Sequence, residues 1–183
     1  MIRPDPHRLF ILTGGPGTGK STLLQALAAR GIATMPEAGR AIIQDQLAIG
    51  GDALPWADRA QFAELMLNWE LRSYRDAAAI NEPILFDRGV PDVPAYLRLC
   101  GLPVPPHMLK AGQLFRYNPR VLVAPPWQQI FIQDRERKQN FAEAQATYDV
   151  LVDFYLSLDY ELVPLPLAPV EEQAQFAMKM IGL

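Results

Sequence analysis

Gly14-Gly15-Pro16-Gly17-Thr18-Gly19-Lys20-Ser21-Thr22 stands between the apolar run Leu9-Phe10-Ile11-Leu12 and the helix-forming run Leu23-Leu24-Gln25-Ala26-Leu27-Ala28-Ala29. Gly14, Gly19, Lys20 and Ser21 fill the pattern G-x-x-x-x-G-K-[ST]. A strand before it and a helix after it are the context in which that pattern cradles phosphate, as a P-loop. Glycines let the backbone curl so that successive N–H groups point inward at phosphate oxygens, and the new helix adds its positive N-terminal end. Gly15, Pro16, Gly17, Thr18, Gly19, Lys20, Ser21 and Thr22 are therefore the expected nucleotide-binding set. Lys20 is expected to reach the β- and γ-phosphates, and the Ser21 hydroxyl to hold Mg²⁺.

Outward from that loop, apolar runs and amphipathic stretches alternate in a βαβα order, which predicts a parallel sheet covered by helices. The first strand is expected over about 8–13 and the first helix over about 20–30, stopped by Gly31. A second strand over 32–36 leads to Glu37 and a helix that ends at the break Gly50-Gly51-Asp52. Phe62, Leu65, Met66, Trp69, Ser73, Ala77 and Ile80 recur at spacings of three and four, predicting one long core-packing helix. Pro83-Ile84-Leu85-Phe86 reads as a short buried strand that stops at an acid, Asp87. Prolines 103, 105, 106, 119, 125 and 126 predict an irregular cap, with one helix over about 108–115. Strands over 120–124 and 160–165, a helix with Phe141, Ala144, Tyr148, Leu151, Val152, Tyr155 and Leu158 on one face, and a helix over about 170–181 complete the reading.

At 183 residues the chain is expected to form one domain with its own core. Half the residues are hydrophobic and a fifth charged, which argues against disordered and fibrous classes. A net charge of −3 argues against a general nucleic-acid binder. Cys100 is the single cysteine, so neither an internal disulfide nor a cysteine zinc site can form. No signal-like apolar segment opens the sequence and no charge-free run is long enough to span a bilayer, so a cytoplasmic protein without integral membrane association is expected.

A P-loop protein needs a second acid at a neighbouring strand end to hold the water shell of Mg²⁺, because that ion keeps several waters. Asp87 is the candidate, since ligands bind at the C-terminal ends of strands in an open parallel sheet. Glu37 ends the second strand in the same way. Two acids there allow one to organise the metal while the other takes a proton from an attacking hydroxyl. A plainer role for Glu37 is to cap the helix it precedes. Arg40, three residues on, is expected to share that face as a substrate contact, and Arg88 adjoins Asp87. Their planar guanidinium groups suit a phosphoryl group whose charge is spread over its oxygens. Arg135, Arg137 and Lys138 precede the penultimate helix, where a lid over about 133–140 would bring positive charge to bound phosphates. Trp127 is a further residue able to line an acceptor pocket.

Gly14 to Ser21, the strand-end Glu37-Ala38-Gly39-Arg40, the strand-end Asp87-Arg88-Gly89 and the late arginine cluster together resemble the P-loop kinase group. More closely, the chain resembles the small AAA-type predicted ATPases grouped with the NadR and TRPL-translocation-defect-like domains, in Glu37-Ala38-Gly39-Arg40, Asp87-Arg88-Gly89 and the Asp134-Arg135-x-Arg137 to Tyr148 segment. The resemblance implies a three-layer P-loop NTPase fold: a five-stranded parallel sheet flanked by helices, the Asp87 strand beside the P-loop strand, a kinase-like lid, and a Glu37 that faces the acceptor. Asp87-Arg88-Gly89 is neither the Glu-Arg-Ser of deoxynucleoside kinases nor the Asp-Arg-Tyr of thymidylate kinases, so neither substrate carries over. Asp87-Arg88 also lacks the adjacent glutamate of a ring-forming motor.

The expected activity is transfer of the γ-phosphoryl of ATP, with GTP as another donor, to a small hydroxyl-bearing metabolite such as a nucleoside-like compound. Lys20, Glu37, Asp87, Arg88, Arg135 and Arg137 are the expected catalytic residues; Glu37, Arg40 and Arg88 are expected at the acceptor, and Ser21 and Asp87 at Mg²⁺. Residues 101–119 are the expected cap or acceptor region. The competing expectation is a nucleotide-dependent regulatory NTPase, a switch that signals through the lid or through 101–119. Monomer and homodimer both remain open.

Overall fold

In the computed structural model, which describes residues 4–129 and 141–183, five parallel strands form one sheet in the order β2-β3-β1-β4-β5. They are β1 (Leu9–Gly14), β2 (Ala33–Met35), β3 (Ile84–Asp87), β4 (Arg120–Ala124) and β5 (Glu161–Pro164). The three central strands are buried on both faces, which is why they read in sequence as unbroken apolar runs and not as alternating ones. Leu9 and Ile11 of β1 face one layer; Phe10 and Leu12 face the other.

The second of those layers is α1 (Lys20–Ala28) and α7 (Val170–Met180), packed through Leu23, Leu27, Ala174 and Ala177. The first is built from α3 (Arg59–Asp76), α4 (Asp92–Leu99), α5 (Pro106–Leu114) and α6 (Phe141–Leu156). A satellite cluster, Ala38, Ile42 and Phe62, joins α2 (Ala38–Ile49) to α3. The sheet order places β1 between β3 and β4, in register Leu12↔Asp87 and Leu12↔Leu122. Asp87 therefore lies beside the start of the phosphate loop. Among the described residues no helix is long and apolar enough to cross a membrane.

Three expectations need correction. The sequence reading places no helix over 92–99, a stretch that carries Pro91 and Pro94. Both fall where helices tolerate proline: Pro91 is the N-cap and Pro94 lies in the first turn, whose N–H groups have no helical acceptor. The long helix ends at Asp76, followed by a 3₁₀ turn Ala77–Ala79, so Ile80 is extended and off its stripe. On α6 the buried face is Ala144, Thr147, Leu151, Phe154 and Tyr155, rotated from the expected one, with Tyr148 half-buried.

Candidate functional site

The phosphate loop is shaped by its glycines. Gly17 and Gly19 have φ of 70° and 84°, and Gly19, in the left-handed region, is the N-cap from which α1 starts. Gly15 is closely approached from α6: a Cβ there would lie 2.7 Å from the Ala144 carbonyl oxygen. Lys20 is buried and folded back over the loop, its Nζ donating to the carbonyls of Gly14 at 2.9 Å and Gly15 at 2.7 Å. Thr18 Oγ1 donates to the Gly15 carbonyl at 2.9 Å. Ser21 and Thr22 are exposed on the first turn of α1.

Asp87 ends β3, and its Oδ1 is a buried oxygen with no hydrogen-bond partner. Burial pushes this carboxyl above its usual value, while the Lys20 ammonium pulls against it. An unpartnered carboxylate oxygen near Lys20, with the exposed Ser21 hydroxyl at the head of α1, is a donor set suited to Mg²⁺ bound through a carboxylate, a hydroxyl and waters. Among the described residues no group of three or more histidine, cysteine, aspartate or glutamate side chains clusters for metal binding.

Arg88 is the centre of a second assembly. Its φ of 72° puts a non-glycine residue in the left-handed region, a conformation that costs about 1–3 kcal/mol and persists only when surroundings hold it. Those surroundings are explicit. The Arg88 N–H donates to the Leu12 carbonyl at 3.0 Å, Nε to Glu37 Oε1 at 3.2 Å, and a terminal nitrogen to Asp92 Oδ1 at 3.2 Å. Burial alone would weaken the guanidinium's hold on its proton. Glu37, Asp92 and Asp87 outweigh it, so the group is held cationic more firmly than usual.

Asp92, at the start of α4, is buried and has both oxygens engaged. Oδ1 accepts from the Thr13 hydroxyl and Arg88, and Oδ2 from the Gly89 N–H at 2.9 Å and the Tyr155 hydroxyl. One carboxylate thus ties β1, the end of β3 and α6 to Arg88. Glu37 is the N-cap of α2, but its side chain makes no capping hydrogen bond. It turns to Arg88, which decides against the plainer capping role.

Beside the phosphate loop opens a cavity of about 520 Å³. Pro16 of the loop, Glu37 and Arg40 of the α2 start, Glu70 of α3, Arg88 and Asp92 all line it, with Trp56, Phe62 and Tyr96 among its apolar surfaces. The structure therefore brings Glu37, Arg40 and Arg88 together, as their sequence positions suggested. Residues 101–119 contribute nothing to this lining: α5 packs into the core through Met108 and Ala111, and Tyr117 is buried under Phe86. Trp127 lies beyond β4, donating to Gln129 Oε1, and is not on the cavity either. Arg135 and Arg137, with the rest of the expected lid, lie outside the described residues.

Asp92 and Glu70 were missed by sequence reasoning. Asp92 opens α4 while Arg88 stands outside it in the left-handed turn after β3, so no helical spacing announces their pair. Glu70 had a signal: it sits in the apolar stripe of α3 between Met66 and Ser73, where a charged residue is out of place.

The sequence model of the AAA domain family matches residues 9–173. No curated protein matches the chain. Among solved structures, deoxyadenosine kinase from M. mycoides with bound dATP superposes with a TM-score of 0.63 at 13% identity, over 96% of this chain and 100% of that one. The NadR protein in complex with NR superposes with a TM-score of 0.64 at 18% identity, over 97% of this chain and 52% of that one, so this chain spans about half of NadR's length. At such identities the likeness shows the fold, the five-stranded parallel P-loop kinase arrangement with the Asp87 strand beside the P-loop strand. With its family match covering most of its length, the chain belongs to the AAA domain family, in its small P-loop form with a kinase-like nucleotide-binding fold.

Proposed function

We propose that this protein is a small-molecule kinase that transfers the γ-phosphoryl of ATP to a hydroxyl of a compact, nucleoside-like metabolite. The observation that carries the proposal is the cavity of about 520 Å³ that meets the phosphate loop at Pro16 and is faced by Glu37, Arg40 and Arg88. Its volume is that of a small-molecule site, and a hydrolase acting on water alone has no need of it.

In this reading the amides of Gly15 to Thr22 and the Lys20 ammonium bind the nucleotide phosphates, Lys20 exchanging the loop carbonyls it now holds for phosphate oxygens. Ser21 and Asp87 would hold Mg²⁺, which would neutralise charge on the phosphates. The acceptor enters the cavity with its hydroxyl toward Glu37. Its oxygen forms a bond to the γ-phosphorus as the bond to the bridging oxygen of ADP breaks, and its proton passes to the Glu37 carboxylate. Arg88, fixed by Asp92, is the adjacent cation that the transferring group meets. Glu37 is held at the cavity by its 3.2 Å pair with Arg88, which engages Oε1. Arg135 and Arg137 are assigned to a lid over the phosphates on the strength of the resemblance.

The experiment is ATP or GTP consumption with Mg²⁺ against nucleosides, nicotinamide riboside, pantothenate, sugars and amino alcohols, with products identified by mass. A product with one added phosphate establishes the kinase and names its acceptor. Slow hydrolysis without such a product across the panel overturns it in favour of a nucleotide-controlled switch.

A further inference from the structure

One acid of the cavity has no part in that reaction. Glu70 lies in the middle of α3, is 4% exposed and lines the cavity. No hydrogen bond to its carboxyl is formed by the described residues. Buried carboxyls are ordinarily hydrogen-bonded, because removing one from water without a partner is costly. The titratable groups close enough to act on its charge are Asp92 from α4, Arg88 and Asp87 from the end of β3, Glu37 from the head of α2, and Tyr117. Only Arg88 among them favours a charged Glu70, and Arg88 is already shared between Glu37 and Asp92. Burial first, then the neighbouring acids, push the Glu70 carboxyl well above the carboxylate range and toward the neutral acid. The Tyr96 hydroxyl belongs to the same lining: it is buried with no nitrogen or oxygen partner and neighbours the Cys100 thiol. Its ring meets Phe62 edge to face with centroids 5.7 Å apart, so an aromatic pair lines the same cavity as Glu70.

We propose that Glu70 reads the acceptor, pairing its carboxyl with a planar edge that carries an N–H donor beside an acceptor atom, as on a heterocyclic base or a ring carboxamide, with the Phe62–Tyr96 wall against the ring. This rests on the kinase reading for the reaction, and on the cavity alone for the binding. A neutral carboxyl presents one donor and one acceptor in a plane, the complement of such an edge. Sugars and chain alcohols have no such edge. A carboxylate in the same place would share the cavity with the acids that line it, Glu37, Glu70 and Asp92.

The test measures phosphorylation and, separately, calorimetric binding without nucleotide. The probes are adenosine, cytidine, guanosine and nicotinamide riboside, set against purine riboside, nicotinic acid riboside and ribose, with wild type, Glu70→Gln and Glu70→Leu. At least one of the first four is expected to bind about 10- to 100-fold more tightly than the last three, the range that one buried unsatisfied polar group commands. Glu70→Leu is expected to raise KM by a similar factor with kcat little changed, and Glu70→Gln to restore KM. Wild-type KM should climb as pH rises through the raised Glu70 value, and the Gln variant should not show that rise. Melting curves confirm folding of the Leu variant; if it fails to fold, Glu70→Ala replaces it. Discriminating binding with no phosphorylated product sustains the Glu70 assignment and removes the kinase reading. Equal use of ribose or purine riboside, or unchanged KM and Kd on truncating Glu70, overturns the assignment and leaves the kinase reading standing. Failure of all seven compounds to bind overturns the assignment as well.

Discussion

The phosphate loop and the cavity beside it are built in opposite ways. Every group of the loop comes from one run of nine residues, and its shape follows from glycine φ values and the start of α1. The cavity takes Glu37 from α2, Glu70 from α3, Arg88 from the end of β3 and Asp92 from α4, and its key arginine stands in a conformation that only those partners sustain. A local site tolerates distant change and fails on single local substitutions. An assembled site shares its stability with the fold, so damage to it should register in melting temperature and turnover together.

The sharpest contrast comes from truncating one charge on each side. Lys20→Ala should lower kcat/KM by about 10³-fold, the scale of losing an electrostatic contact to the transferring group, with the melting temperature of the free protein little moved. Titration calorimetry with nucleotide checks the accompanying loss of affinity. Glu37→Gln should lower kcat by about 10²-fold or more while nucleotide affinity stays close to wild type, as removal of a general base predicts. Intact phosphotransfer in that variant would show that the proton goes elsewhere.

Asp92→Ala probes the assembled side. It leaves Arg88, Thr13, Gly89 N–H and Tyr155 without their common acceptor, and breaking such a buried pair costs about 3–5 kcal/mol. A fall of roughly 6–20 °C in melting temperature should accompany a drop in turnover. A variant that melts like wild type but turns over slowly would mean that the clamp positions Arg88 without carrying fold stability.

Asp87→Asn gives the smallest change in stability and the most informative sign. The Asp87 carboxyl is raised by burial, so the folded state holds its proton more tightly than the unfolded chain does. Its contribution to stability is fully present below the unfolded value and is lost as pH rises through the raised folded value. The Asn variant should therefore match or exceed wild-type stability at neutral pH, flatten that part of the pH profile, and lose Mg²⁺-dependent nucleotide affinity. In wild type, Mg²⁺-dependent nucleotide binding should weaken as pH falls through the raised Asp87 value, read by titration calorimetry across pH.

How much was legible in advance differs residue by residue. The apolar run before Gly14 announced a strand buried on both faces, and Asp87 and Glu37 announced themselves by ending strands. Asp92 did not: it opens a helix, carrying Pro91 and Pro94 at its start, where the sequence reading places none. Residues 101–119, rich in proline, suggested a cap, yet Met108, Ala111 and Tyr117 go into the core, since a proline at a helix start disturbs nothing. Glu70 was visible as a misfit in the α3 stripe, though not as a member of the site.

The sequence by itself determined the phosphate loop, the parallel α/β order and the pair of strand-end acids, because each depends on contacts within a few residues: glycine dihedrals, a helix start, an apolar run meeting a charge. Tertiary structure alone decided that Glu37 pairs with Arg88 instead of capping α2, that Asp92 holds Arg88 in the left-handed region, and that Glu70 faces a cavity. Those outcomes turn on which buried charges find partners across the sheet and its helices, and a one-dimensional pattern carries no record of such pairing.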